Sequence, residues 1–413
     1  MQAISANFFT GTHQRISALS KIRFYRNFPS LSTLPAADFA TLCLSILLVQ
    51  QLPSGKATQV QSSLYSSVKN FITILEASGE ISLDLAHSRV LVAFYEMGHG
   101  LHTAAYVSVA ATARLARSLG LHRKPWRSLN PESDNLLSEE QKRTWWAISN
   151  MDRFINLCSG DALFVTGDSE QSDPLPIEDL LWAEGSDLAD LSRSVTTPPT
   201  LDTPFNTRVG QMARECQISH LAGRVIRHVF EPISDRDFNM EEGLQLERTL
   251  TAYLPLLANE ELEIGKYCGA FGVCNSALFI LYESMLSRYD GDSSDRNRVL
   301  QAIKETSWRA LKFAEATHAD RFENYPIETQ SPYLIYSLYQ AAVVQYRLWV
   351  QECDPVYQRN LESLKDILNA FTKRWMITYQ YLEILDGLDE SWPPIALPFQ
   401  GLFISSGRPR VSS

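Results

Sequence analysis

The chain has 413 residues, with 37 Lys+Arg against 47 Asp+Glu, a net charge of −10 and 45% hydrophobic residues. That length is enough for two or three domains, or for one large domain of packed lobes, and the ordinary composition excludes wholesale disorder, collagen and a coiled-coil rod. The acidic balance argues against nucleic acid binding over the whole surface, because neutralising phosphates needs clustered Lys and Arg; a local basic patch stays open.

From the amino terminus, MQAISANFFTGTHQRIS lacks a basic segment followed by an apolar one, so no signal peptide is expected. Residues 1–35 read as a lead-in. Apolar residues then recur at three and four near 36–51, 59–77, 83–97, 101–120, 138–158, 207–230, 241–257, 260–288, 295–318, 329–353 and 356–386. Strand-like alternation is scarce, which predicts an all-α fold: a large multi-helix bundle or an irregular α-α superhelix. The uncharged stretches 39–55 and 267–282 fall short of the roughly 20 apolar residues a spanning helix needs and are expected to be core helices, with no membrane contact.

Within that order, the alanine-rich 101–120 segment predicts a thin helix that a neighbour can approach closely, closed by Gly120 in the left-handed conformation. Ser138 and Gln141 have the spacing of a capping box opening the next helix, whose stripe is Trp145, Ile148, Met151, Ile155 and Cys158. Loops are expected at 123–137, at the acidic 159–192, where PLPIEDLLW (174–182) should anchor to the core, and at the Ser/Thr/Pro-rich 193–206, expected to be mobile. The domain expectation is 1–35 lead-in, 36–190 first half, 191–206 loop, 207–386 second helical half and 387–413 a Pro-containing tail, its end expected to be disordered. Six cysteines spread over more than 300 residues, with no C-x-x-C pair, read as reduced and mostly buried thiols.

Chemistry-bearing motifs are few. Glu96, His99 and His102 could line one side of a helix as metal ligands, yet Gly98 and Gly100 flank His99 and favour a helix–helix corner. PSGKAT (53–58) has Gln50 where a phosphate loop needs glycine. No nucleophile elbow, dinucleotide turn or zinc-protease helix occurs, so no catalytic, cofactor-binding or metal residue is assigned. Asp152 and Arg153 read as an ion-pair network ordering helix packing. In YLEILDGLDESW (381–392), acids alternate with apolar residues; Leu385, Asp386, Leu388, Asp389 and Trp392 are candidates for an activation segment that docks on a coactivator, the alternative being a terminal core helix.

Ala104-Ala105-Tyr106, ARLARSLGLHR (113–123) and SEEQKRTWWAISNMDRF (138–154) together resemble the regulatory middle homology region of fungal zinc-cluster transcription factors. The matching positions are Gly120, Leu121, His122, Arg123, Arg143, Trp145, Trp146, Asp152 and Arg153, followed by Leu175, Pro176 and Asp179; NFPSL (27–31) and 78–100 resemble the start of that domain. Two departures stand out. No cysteine precedes Cys43, whereas such factors begin with a six-cysteine zinc cluster, and Gly160-Asp161-Ala162 replaces Gly-Arg-Pro.

The resemblance implies that the two Trp are core anchors and that Arg143, Asp152 and Arg153 set helix angles. It implies a nuclear transcriptional regulator of RNA polymerase II genes, in a metabolic or secondary-metabolite cluster, with no cofactor. Its expected partners are proteins, namely a DNA-binding family member and a coactivator, with DNA reached indirectly and a homo- or heterodimer open. The rival readings are a ligand-binding or scaffold module, a helical enzyme using Tyr267, Tyr282, His318 and Tyr325, and a gene model cut at its 5′ end. Phosphorylation of Thr196, Thr197, Thr200 or Thr203 would add negative charge to an acidic neighbourhood.

Overall fold

The computed structural model describes residues 1–53, 62–124, 135–184, 199–258, 267–288, 294–318 and 330–388. Among these residues there are fifteen α-helices and no strand, so the fold is all-α. Two compact units divide the chain. Unit 1 is Met1–Asp152 with Val165–Gln217, and unit 2 is Arg153–Phe164 with Ile218–Ser413.

Unit 1 starts with α1 (Gln2–Thr10), a 3-10 turn (Thr12–Arg15), α2 (Lys21–Asn27) and a second 3-10 turn (Phe28–Ser32). Residues 1–35 are therefore folded. Phe8, Phe9 and Phe24 are buried, and Phe9 and Phe24 meet edge to face at 5.4 Å. Next come α3 (Ala37–Val49), α4 (Ser63–Ala77), α5 (Leu83–Gly98) and α6 (His102–Ser118). Each of α4 and α5 opens on a serine, Ser62 and Ser82, whose hydroxyl accepts an N–H of the first turn. Helix α3 packs on α4 and α5, and α5 packs on α6, closing an apolar cluster that includes Leu48, Val68, Ile72, Leu85 and Val92.

The corner expected at His99 is present. Helix α5 ends at Gly98, Gly100 takes φ +71°, and α6 starts at His102. After α6, Gly120 takes φ +78° and a 3-10 turn (Leu121–Arg123) follows. Helix α7 runs Asn135–Ser159, so Ser138 lies inside it and does not cap it. The stripe from Trp145 to Cys158 is buried, but so is almost everything else from 139 to 158; the helix is enclosed on all sides. Inside the expected acidic loop sits a short helix, α8 (Asp179–Glu184). The described end of the Ser/Thr/Pro run is also fixed: Leu175 N–H donates to Pro199 O at 2.7 Å and Leu201 N–H to Asp173 O at 3.1 Å. Helix α9 (Gln211–Phe230) opens in unit 1 and closes in unit 2.

Unit 2 continues with α10 (Arg236–Leu257), α11 (Cys268–Arg288), α12 (Ser294–His318), α13 (Pro332–Glu352), α14 (Pro355–Phe371) and α15 (Ile377–Asp386). Helix α10 begins five residues before its apolar periodicity does, because Asp235 accepts N–H bonds from Asp237 and Phe238 at 3.1 Å. The expected single helix over 356–386 is two. The turn between α14 and α15 lets Trp375 bury its ring and donate Nε1 to Gln330 O at 3.0 Å.

Helix α13 is the axis of this unit, packed by α11, α12, α14 and α15, and every residue from 332 to 348 is buried. Helix α11 is long and apolar enough to cross a bilayer by length and composition, and 83% of that window is buried by neighbouring protein. At Gly272 an added Cβ would lie 2.4 Å from Tyr333 O, so only glycine permits this approach of α11 to α13. All six cysteines are free; five are buried, and Cys353, in the turn after α13, is exposed.

Candidate functional site

The motif residues of α7 build a buried polar hub in unit 1. Arg143 is fully buried and uses its whole fork. Nε donates to Glu139 Oε1 at 3.0 Å, one turn earlier on the same helix. Nη1 donates to Ser17 Oγ at 2.8 Å, Ser17 O at 3.2 Å and Asp179 Oδ1 at 3.0 Å, and Nη2 to Ile177 O at 2.7 Å. Its cationic plane lies 4.9 Å from the Trp182 ring. One guanidinium thereby fixes the 3-10 turn region, the 174–182 strap and α8 against α7. A planar five-donor group is needed for this; a lysine offers one point charge.

Asp179 extends the hub, since its Oδ2 accepts the Met212 N–H at 3.1 Å in the first turn of α9, where the helix dipole favours an anion. Gly210 leaves the room, because a Cβ there would meet Asp179 Oδ2 at 2.7 Å. Next to it, Glu140 accepts Ser20 N–H at 2.7 Å and Arg23 Nε at 2.6 Å, and Arg23 also pairs with Asp84 at 2.5 Å. Burial raises the Glu140 carboxyl above its ordinary value, with Arg23 pulling it down. His87 donates to or accepts from Thr144 Oγ1 at 2.9 Å, and burial holds its ring far below the usual range. His13, bonded to Leu19 O at 2.8 Å, is lowered by burial to about 4.

The two indoles have separate tasks. Trp146 Nε1 donates to Pro174 O at 3.1 Å, holding the strap that Leu175 and Pro176 anchor, whereas the Trp145 ring lies 5.9 Å from the Arg117 guanidinium of α6. Asp152 accepts Thr166 Oγ1 at 2.6 Å and Thr166 N–H at 3.0 Å, fastening a loop. Arg153 belongs to unit 2, where its guanidinium stacks 3.7 Å from the Phe164 ring. Gly120 supplies the left-handed residue, Leu121 is buried and Arg123 is exposed. Lys124, next in line, pairs with Asp173.

Other candidates are taken up by packing. Glu96 accepts Tyr65 Oη at 2.8 Å and Lys69 Nζ at 2.9 Å, while His99 lies against the Tyr95 ring. Among the described residues no three His, Cys, Asp or Glu side chains converge as for a metal ion. Tyr282 is a core residue, its hydroxyl raised to about 12 by burial. Tyr325 and the side chain of His318 lie outside the described residues, as do residues 54–58 of PSGKAT, Thr196, Thr197, Asp389 and Trp392. Leu385 is buried with Ile377 and Tyr381 on α15, Leu388 is half-buried, and Asp386 pairs with Lys365. Thr203 Oγ1 accepts the Thr200 N–H at 2.8 Å, so both threonines shape a turn.

The sequence reading missed Ser17, Glu139, Glu140 and Ile177. Only the Glu139–Arg143 spacing of four carried a signal for them.

The sequence model of the fungal specific transcription factor domain matches residues 6–215. The chain belongs to that family. It is 33% identical over 119 residues to the transcription factor BOA15 of Botryotinia fuckeliana (strain B05.10), covering 28% of this chain and 65% of that protein. It is 24% identical over 332 residues to the citrinin biosynthesis transcriptional activators mrl3 of Monascus ruber and ctnR of Monascus purpureus, in each case over 75% of this chain. The alignments cover 62% of mrl3 and 54% of ctnR, so the chain spans well under the full length of these relatives. No solved structure matches the chain. The family and these relatives are transcription factors rather than enzymes.

Proposed function

We propose that this chain is a nuclear transcriptional regulator of RNA polymerase II genes serving a biosynthetic gene cluster. The observation carrying the reading is the family match over residues 6–215, which contains the whole Arg143 hub. The hub supports a regulatory and not a chemical role, because Arg143 and Asp179 are consumed by mutual and backbone bonds. The names of mrl3 and ctnR, activators of a biosynthesis, support the class of target.

DNA is reached through a DNA-binding protein partner, a reading supported by the net charge of −10. Deleting the gene in its host should change transcript levels of a physically linked gene cluster; an unchanged transcriptome under producing conditions would refute the proposal. Purified chain alone should give no site-specific band in a gel-shift assay, and a band should appear with nuclear extract from the same host.

A further inference from the structure

The described residues expose their densest group of large apolar side chains at the elbow between α9 and α10 in unit 2. Phe230 is 38% exposed, Ile233 52%, Phe238 50% and Met240 36%, and every residue from 229 to 238 except half-buried Val229 is exposed. Interleaved with them stand Glu231, Asp235, Asp237, Glu241 and Glu242, against Arg236 and, on the last turns of α9, exposed Arg227 and half-buried Arg224, the latter 3.8 Å from Glu242.

The elbow is built, not loose. Asp235 caps α10, Asn239 Nδ2 donates to Ile233 O at 2.5 Å, and His228 Nδ1 meets Glu242 Oε2 at 2.9 Å across the two helices. Phe230 rests on Gly160, where a Cβ would come within 3.3 Å of its ring. Ile233 and Phe238, both within one turn of the Asp235 cap, are thus held out into water at a cost that folding alone does not explain.

We propose that this elbow is a docking surface for a protein partner that presents an apolar cleft rimmed by lysine and arginine side chains. The inference rests on the regulator reading and names a partner surface for it. Charge selects the occupant. Five acids against three bases leave the elbow net negative, which disfavours nucleic acid and anionic lipid alike. A second copy of the chain meeting the elbow symmetrically would set the same acids against each other. A basic-rimmed cleft satisfies both the acids and the two protruding side chains, which would act as anchors.

The test uses the full chain with the double variant Ile233→Ser/Phe238→Ser and the triple variant Glu231→Gln/Asp237→Asn/Glu241→Gln, leaving Asp235 and Glu242 to keep the elbow folded. The probe is an amphipathic leucine–lysine helical peptide, with a scrambled peptide of equal composition, titrated at low and high salt. The amphipathic peptide should bind with a Kd that each variant weakens by about tenfold, while unfolding transitions stay put. Binding that is unchanged in both variants, or equal for the scrambled peptide, would overturn the proposal.

Tethered to a heterologous DNA-binding domain, the full chain should alter a reporter in the host and the double variant should lose most of that effect. A response retained in full by the double variant counts against the elbow alone. An inert wild-type tether counts against the regulator reading, and the peptide titration still decides the elbow.

Discussion

Unit 1 buries eleven Asp, Glu, Lys and Arg residues among those described, whereas unit 2 buries four, Arg153, Glu247, Arg347 and Arg374. Unit 2 instead encloses apolar helices on every side, α11 from 268 to 282 and α13 from 332 to 348. Apolar packing is non-directional and forgiving of small rearrangements, whereas buried charges tolerate only the geometry that pairs them. The family match lies over unit 1 for almost its whole length. The difference suggests what each unit was shaped for: one arrangement held uniquely by ions in the first, bulk and close contact in the second.

Removing the centre of the ionic arrangement should do most damage. Arg143→Met would leave half-buried Asp179 without its cation and Glu139 with Lys142 alone, and should cost unit 1 about 3–5 kcal/mol, read by denaturant unfolding. Restoring neutrality with Asp179→Asn in the same chain, which leaves the Glu139–Lys142 pair intact, should recover part of that loss. No recovery would mean that packing, and not charge, dominates there.

Unit 2 should be most sensitive to size. Gly272→Ala places a methyl 2.4 Å from the Tyr333 carbonyl oxygen, where backbone must move, and should cost about 1–3 kcal/mol. Hydrogen exchange should show the loss in α11 and α13 with α3 and α5 unaffected. Equal loosening in both places would erase the contrast drawn between the units.

A third test uses pH. Burial pushes the Glu215 carboxyl, which accepts from Asn150 Nδ2 at 3.4 Å, from 4.5 up to about 8. Between those values the folded chain keeps a proton that the unfolded chain releases, so this stabilisation fades as pH rises through the window. His13 acts oppositely: lowered from 6.5 to about 4, it lacks a proton that the unfolded chain binds, so stability falls as pH drops through that range. From these two groups unit 1 should hold level stability between pH 4.5 and 6.5, where the opposite slopes cancel, and weaken from there toward pH 8. Glu215→Gln should flatten the alkaline limb of the unfolding midpoint against pH; a limb left intact would assign it to another group.

The smallest expected effect is at Gly120. Its φ of +78° has open space around the Cα, so Gly120→Ala should cost about 1 kcal/mol through backbone strain alone. Gly120→Asn should cost less, measured by the same unfolding assay.

Much of the helical order was legible because three-and-four periodicity survives wherever one face of a helix meets the core. It was less informative for α7 and α13, where burial on all sides erases the polar face that marks a helix's orientation. Starts and stops depended on caps. Asp235 moved the beginning of α10 ahead of its apolar pattern, and Trp375 split 356–386 by needing an acceptor at Gln330. In the hub, the Arg and Trp positions were visible, but Ser17 stands 126 residues from Arg143 and Asp179 36 residues from it. No spacing rule reaches that far. The acidic-apolar alternation at 381–392 left a docking segment and a terminal core helix both open; Leu385 is buried, residues 389–392 lie outside the described residues, and a further exposed mixture of acids and apolar groups stands at 230–242.

The distribution of thiols makes the molecule its own reporter. With Cys353 outside and five cysteines inside, a maleimide dye should attach once to the native protein, at the turn after α13, without any engineering. Warming in the presence of the reagent would then date each opening by mass spectrometry. Labels arriving on Cys43 and Cys216 mark the ion-rich unit, and those on Cys158, Cys268 and Cys274 mark the apolar one.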